Sequence, residues 1–246
     1  MFSLFKPKPA TDSNPAALLG ADMHSHLLPG IDDGSPDMAT TVDFIRELQQ
    51  LGYQKLITTP HILWDLYKNT RPLILEKAAL VKEALHSKGI AIEFAVAAEY
   101  FMDDYFNQLL KSGEPLLTLK DNWVLVEFSF VSEPYDLAQN LFDLEINGYL
   151  PVIAHPERYA YFHQRKERLH ELFDRGYLLQ LNLLSLTGYY GRAIQEMGAY
   201  LLRNKMIRLF GTDLHHYKHL HALQDKDLFK KVREAVDSGL ILNPEL

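Results

Sequence analysis

The chain has 246 residues, 47% hydrophobic and 23% charged, a balance that excludes fibrous and disordered classes and gives length enough for a full core. Its formal net charge of -7 argues against a nucleic-acid backbone as the main partner, because phosphate tracks are bound by Lys- and Arg-rich surfaces. Cysteine is absent, which removes disulfides, Cys-rich zinc sites and a thiolate nucleophile.

Residues 1–17 carry a short apolar start, Phe2, Leu4 and Phe5, interrupted by Lys6-Pro7-Lys8-Pro9. That stretch is too short for a signal peptide or a membrane span and reads as a flexible leader. Residues 18–246 are expected to form one catalytic domain, located in the cytoplasm and without membrane insertion. Amphipathic stretches then end in Gly52, Gly89, Gly148, Gly176 and Gly239, since glycine suits the left-handed residue that closes a helix. Between them lie about seven apolar runs, ending near His24, His61, Glu99, Glu127, His155, Asn182 and Asp213. Their continuous apolar character fits parallel strands covered on both faces. The alternation predicts an α/β fold, either a closed or distorted barrel or an open doubly wound sheet. The first helix is expected to be capped by Ser35, with Pro36 at its first position and Asp37 at its positive end. Val42, Ile45, Leu48 and Leu51 mark its buried face.

Nearly every apolar run terminates in a potential metal ligand. The first ends in Asp22-Met23-His24-Ser25-His26, followed by a turn containing Asp32-Asp33-Gly34. In an extended chain, residues two apart share a face, so His24 and His26 can address one ion. His61, Glu99, Glu127 and His155 each end a later run, and Asp213 with His215 repeats the two-apart pairing. A carboxylate directly after an apolar strand is costly unless it is paired or coordinated. In parallel barrels such groups gather at the carboxyl ends of strands. The nine candidates His24, His26, Asp33, His61, Glu99, Glu127, His155, Asp213 and His215 are too many for one tetrahedral ion and imply two or three. Nitrogen and oxygen donors without sulfur suit manganese, iron or zinc better than calcium or magnesium alone.

Taken in order, these motifs resemble the PHP (polymerase and histidinol phosphatase) superfamily. The run from Asp22 to Ser35, with Thr59-Pro60-His61, Ala98-Glu99, Val126-Glu127-Phe128, His155-Pro156-Glu157-Arg158-Tyr159 and Thr212-Asp213-Leu214-His215, is similar to its bacterial capsule and exopolysaccharide tyrosine phosphatases over roughly residues 18–244. The resemblance implies a distorted seven-stranded (β/α) barrel of the PHP type and a trinuclear site holding manganese. It also implies hydrolysis of phosphotyrosine on a membrane-linked tyrosine autokinase. It places the nine candidates in the metal sites and Arg158 against substrate phosphate. A second arginine that commonly follows the D-x-H motif is missing, and Lys218 or His219 stands in that stretch.

Without cysteine, the nucleophile expected is metal-bound hydroxide, with Arg158 orienting the non-bridging oxygens and His155 and Asp213 indispensable. Three divalent ions outweigh four ligand carboxylates by about two charges, which matches a phosphate dianion. The rival readings are a phosphatase of a small metabolite such as histidinol phosphate, and a non-catalytic metal-bound regulator. Tyr189, Tyr190 and Arg192 suit either the mouth of the site or, preferred, a surface loop, and His86, His163 and His170 are read as solvated positions. Trp64 and Tyr67 suit either a lid for an aromatic ring or ordinary packing.

Overall fold

The computed structural model describes residues 14–246. Most of the expected leader, residues 1–13, lies outside the described residues. Its last residues enter a short 3-10 turn, Pro15–Leu18, with Ala16 and Leu19 fully buried.

Among the described residues nine strands pair, always in parallel, in two sheets. They are β1 (Ala21–Asp22), β2 (Lys55–Thr58), β3 (His61–Ile62), β4 (Glu93–Val96), β5 (Glu99–Phe101), β6 (Trp123–Glu127), β7 (Leu150–Ile153), β8 (Leu178–Asn182) and β9 (Ile207–Gly211). The order is β1-β2-β4 in the smaller sheet and β3-β5-β6-β7-β8-β9 in the larger. Helices α1 (Met38–Leu51), α2 (Arg71–Ser87), α3 (Asp104–Ser112), α4 (Leu137–Ile146), α5 (Ala160–His163), α6 (Lys166–Asp174), α7 (Arg192–Arg203), α8 (Tyr217–Ala222) and α9 (Lys226–Asp237) alternate with them. The mixed α/β fold with parallel sheets matches expectation. The single set of seven strands does not, because two of the apolar runs are broken. Pro60 has no N–H to give a ladder, so its run divides into β2 and β3. Ala97-Ala98 divides the neighbouring run into β4 and β5 at the same level. Pairing crosses the break through Ala97 N–H to Thr58 O (2.9 Å) and Glu99 N–H to Pro60 O (3.1 Å).

The first and last strands meet along a seam made without a regular ladder. Asp213 N–H donates to His24 O (2.7 Å), His26 N–H donates to Leu214 O (3.0 Å), and Ser25 and Leu214 form a parallel bridge. One turn below, the buried Asp22 carboxylate accepts from the Thr212 N–H (2.9 Å) and hydroxyl (2.7 Å). Lower still, the buried Asn243 amide accepts from Phe210 N–H (2.8 Å) and donates to Ala21 O (3.1 Å). Inside, Met23, Ile57, Ala97, Leu125, Val152 and Leu209 form a small apolar cluster drawn from both sheets. The larger core lies between the sheets and the helices.

Helix α1 starts later than predicted. Asp37 is its cap and accepts from Thr40 N–H at 2.8 Å. Ser35 is buried instead, bonded to the Thr41 hydroxyl at 2.8 Å and donating to Asp37 O. Val42, Ile45 and Leu48 are buried as expected, with Phe44 beside them. All five helix-closing glycines have positive φ. None of the described helices is long and apolar enough to cross a membrane.

The turn after β1 folds back so closely that a Cβ on Gly34 would collide with the His26 carbonyl oxygen and Cβ. Backbone cannot yield as a flexible side chain does, so Gly34→Ala is expected to destabilise by about 1–3 kcal/mol. The measurement is a urea midpoint, and an unshifted midpoint contradicts this packing.

Candidate metal centre

The seam and the strand breaks decide where the polar side chains converge. His24 and His26 follow β1, Asp32 and Asp33 lie in the turn before α1, and His61 and Glu99 open β3 and β5 rather than closing longer strands. Glu127 ends β6, while His155 and Asp213 each stand two residues past β7 and β9. Both of the latter adopt left-handed backbone, with φ 32° and 50°. That conformation costs a β-carbon-bearing residue on the order of 1 kcal/mol or more and tends to persist where function requires it.

All nine residues singled out from the sequence fall into four overlapping donor groups. The groups are His26, Asp33, His61 and His215; His24, His26 and Asp213; His24, Glu99 and His155; and His61, Glu99 and Glu127. Glu99 is the hub. Its Oε2 lies 3.2 Å from His24 Nε2, 3.4 Å from His26 Nε2 and 3.2 Å from His61 Nδ1, while Oε1 is 3.1 Å from His155 Nε2. Asp213 Oδ1 lies 3.4 Å from His24 Nε2 and 3.4 Å from His215 Nδ1. Asp33, half-exposed at the rim, sits 3.6 Å from His61 Nε2 and 3.5 Å from His215 Nε2.

The buried atoms Glu99 Oε2 and His61 Nδ1 have no hydrogen-bond partner within the protein, and an unsatisfied buried carboxylate oxygen is costly. Five imidazoles and four carboxylates facing one another, without sulfur, fit a cluster of divalent cations. Electrostatics agree. Burial pushes the Glu127 carboxyl well above the usual range, reinforced by the charges of Glu99 and Asp213. Burial also acts to raise Glu99 and Asp213, but the surrounding imidazoles overcome it and hold both well below the usual range. Burial lowers His155 to about 4, so its ring is neutral at pH 7 and keeps a lone pair for a cation. Burial pulls His24 and His26 down as well, yet Glu99 and Asp213 for the first and Asp32 for the second leave both raised.

Several supporting residues were not legible beforehand. Gln180 Oε1 accepts from His155 N–H at 3.2 Å and lies 2.9 Å from His24 Nδ1. Its amide donates to Asn182 Oδ1 (2.9 Å), and Asn182 Nδ2 donates to Asp213 Oδ2 (2.7 Å). Asp32 Oδ2 lies 2.9 Å from His26 Nδ1 and accepts from His61 N–H. Such outer partners fix ring orientation and tautomer. Their signal was the alternation Gln180, Asn182 along β8, which directs both side chains to one face.

Arg158 donates to Asp213 Oδ2 at 2.8 Å. Its guanidinium lies between the rings of Phe130 (4.9 Å) and Tyr190 (4.6 Å). Tyr190, read from sequence as part of a surface loop, thus belongs to the mouth, whereas Arg192 is exposed and paired with Glu196. Of the two residues in the missing arginine's stretch, Lys218 is exposed. His219 is buried behind His215, with Nδ1 3.1 Å from Asp213 O, and burial lowers it to about 4. Neither supplies a cation at the centre. Tyr67 stacks on His61, and Trp64 stacks on Tyr105 further out. His86 is exposed at the end of α2. His163 and His170 are bound to Glu157 O (2.7 Å) and the Tyr200 hydroxyl (2.8 Å), outside the cluster.

A parallel α/β scaffold with a histidine and carboxylate cluster at its strand ends defines the class of the protein. The family model described as capsular polysaccharide synthesis, CpsB/CapC, matches residues 20–235, and the chain belongs to that family. It is 31% identical over 198 residues to the tyrosine-protein phosphatase YwqE of Bacillus subtilis, covering 80% of this chain and 78% of YwqE. The putative tyrosine-protein phosphatase CapC of Staphylococcus aureus is 27% identical over 194 residues, with 79% and 76% covered. A solved structure from a study of YwqE and of CpsB from Streptococcus pneumoniae, described there as unique metal-dependent tyrosine phosphatases, matches with a TM-score of 0.75. Its identity to this chain is 28%, over 91% of this chain and 94% of the other.

Two calorimetric outcomes follow from the cluster. Because His24 and His26 are raised in the cation-free protein, titration with manganese at pH 7 should release protons. The measured heat should then change with the ionisation enthalpy of the buffer, and identical heats in two buffers would contradict the pairing described. Gln180→Leu, which removes the partner of His24, should weaken manganese binding roughly 10–100-fold.

Proposed function

We propose that this protein is a metal-dependent protein-tyrosine phosphatase of capsular or exopolysaccharide synthesis. In this reading the nine clustered residues hold two or three divalent cations, manganese foremost, and the substrate is a membrane-linked tyrosine autokinase met in the cytoplasm. The gathering of all nine donors into four groups that overlap through His24, His26, His61 and Glu99 carries the reading. The names of the relatives support the phosphotyrosine assignment. A distorted barrel of seven units belongs to the same reading, with β2/β3 and β4/β5 each counted as one bent strand and the β1–β9 seam as its closure.

Divalent cations, when bound, supply Lewis-acid charge stabilisation and lower the pKa of coordinated water toward about 7. The residues of the chain do the positioning. Asp32 and Gln180 hold Nδ1 of His26 and His24, which leaves both Nε2 atoms facing inward. Arg158, a permanent cation seated between two rings at the rim, is placed to donate to non-bridging phosphate oxygens. Its bond to Asp213 ties the phosphate-binding group to the ligand shell. A phenolate leaves with a pKa near about 10, so an aryl ester needs no strong general acid.

Phosphate release from a phosphotyrosine peptide, compared with histidinol phosphate, tests the assignment. With manganese-loaded protein, His155→Ala or Asp213→Ala should lower kcat at least ~100-fold, and Arg158→Ala should lower kcat/KM by about 100–1000-fold. Wild-type turnover in the first two variants, or markedly better use of histidinol phosphate, would overturn the proposal.

A further inference from the structure

The segment after β6 leaves the centre carrying its apolar residues outward. Phe130 touches the centre on one side, its ring 5.5 Å from that of His155 and 4.9 Å from the Arg158 guanidinium, yet it remains 41% exposed. Val131 and Tyr135 follow at 92% and 106% exposure. Isolated exposed apolar residues are ordinary. Here three occur within six positions beside a hollow of about 420 Å³ lined by Val131, Tyr135, Tyr161 and Arg165.

The segment is not loose. Glu133 is anchored between Arg165 (2.7 Å) and Arg168 (2.8 Å), the Tyr161 hydroxyl donates to Ser129 O (3.0 Å), and Val131 N–H donates to Ser129 Oγ (3.2 Å). These contacts fix the chain on both sides of Val131, which stays in water with Tyr135 although burial of either side chain would be favourable. A surface fixed in this way is preorganised, so a partner binding there loses little to loop ordering.

We infer that residues 129–136 form the docking surface for the polypeptide that bears the phosphotyrosine, with the substrate's aryl ring on Phe130 and its flanking apolar residues on Val131 and Tyr135. The inference rests on the phosphotyrosine reading and adds where the protein part of the substrate lies. Continuity favours this occupant over a second copy of the chain. Phe130 is shared between the surface and the centre and Val131 follows it directly in the chain, so the surface borders the point where Arg158 would hold the phosphate. The surface also gives a reason for selecting a protein over a metabolite, because a small phosphate ester has no flanking residues to lay on Val131 and Tyr135.

The experiment compares kcat/KM for a twelve-residue phosphotyrosine peptide with apolar flanks against kcat/KM for p-nitrophenyl phosphate, using the manganese-loaded full chain. The double variant Val131→Ser/Tyr135→Ser should lower the peptide-to-aryl ratio about tenfold, equivalent to roughly 1.4 kcal/mol. Phe142→Ser, an exposed apolar position on α4, should leave the ratio alone. An unchanged ratio in the double variant overturns the inference, and so does an equal loss on both substrates, which would make the segment a support for the centre. Dissociation of an oligomer with the ratio intact, read by sedimentation, assigns the face to a second copy and overturns it too. If wild-type protein hydrolyses p-nitrophenyl phosphate but not the peptide, the phosphotyrosine reading itself fails, and the docking surface with it.

Discussion

The seam between β1 and β9 is the constraint from which the centre follows. It joins His24 and His26 to Asp213 and His215 across most of the chain, through backbone bonds from Asp213 to His24 and from His26 to Leu214. Side chains do the rest of the joining. Asp22 and Asn243 supply acceptors and donors where the strands are too short for a continuous ladder. A short or irregular edge leaves backbone groups unsatisfied unless something else meets them, and Asp22 and Asn243 do so on this seam. Loss of that register would separate the first donor pair from the last.

Around this seam the centre is built with more negative and lone-pair character than a protein interior ordinarily tolerates. Glu99 is buried among four imidazole nitrogens and His155 is held neutral, while Glu127 is pushed toward its protonated form. The left-handed backbone at His155 and Asp213 is of a piece with this arrangement. Two donors are aimed inward by conformations that their residue types adopt reluctantly. Fold stability elsewhere must offset these local costs, and the large apolar core provides the means.

The clustering of histidines and carboxylates was legible because its signal is local: most of them follow directly on an apolar run, where a routine surface residue has no reason to recur. Parallel α/β architecture was legible for a similar reason, since buried strands and glycine-closed helices leave their period in the sequence. Strand integrity was not. Pro60 and the Ala97-Ala98 pair split two runs, and only the neighbouring strand shows that both breaks fall at one level. The start of α1 also escaped, because Ser35 and Asp37 are both good caps and tertiary burial of Ser35 decides between them. Tyr190 read as loop, since nothing near it in sequence announces that Arg158 will lie against its ring. The alternation of Gln180 with Asn182 shows that they share a face, but that Gln180 meets His24 and Asp32 meets the ring of His26 is not encoded in composition or spacing.

Synthesis order gives the seam a further meaning. His24 leaves the ribosome 189 residues before Asp213, an interval of roughly 10–40 s at ordinary translation rates. During that time β1 can pair with β2, but its other edge has no strand beside it, and the early histidines stand without their late carboxylate. An open edge of this kind is a template for pairing with another chain. In the growing polypeptide, therefore, the edge beside the future centre stays unpaired and is guarded mainly by its shortness, and arrival of β9 closes it as it completes the donor set.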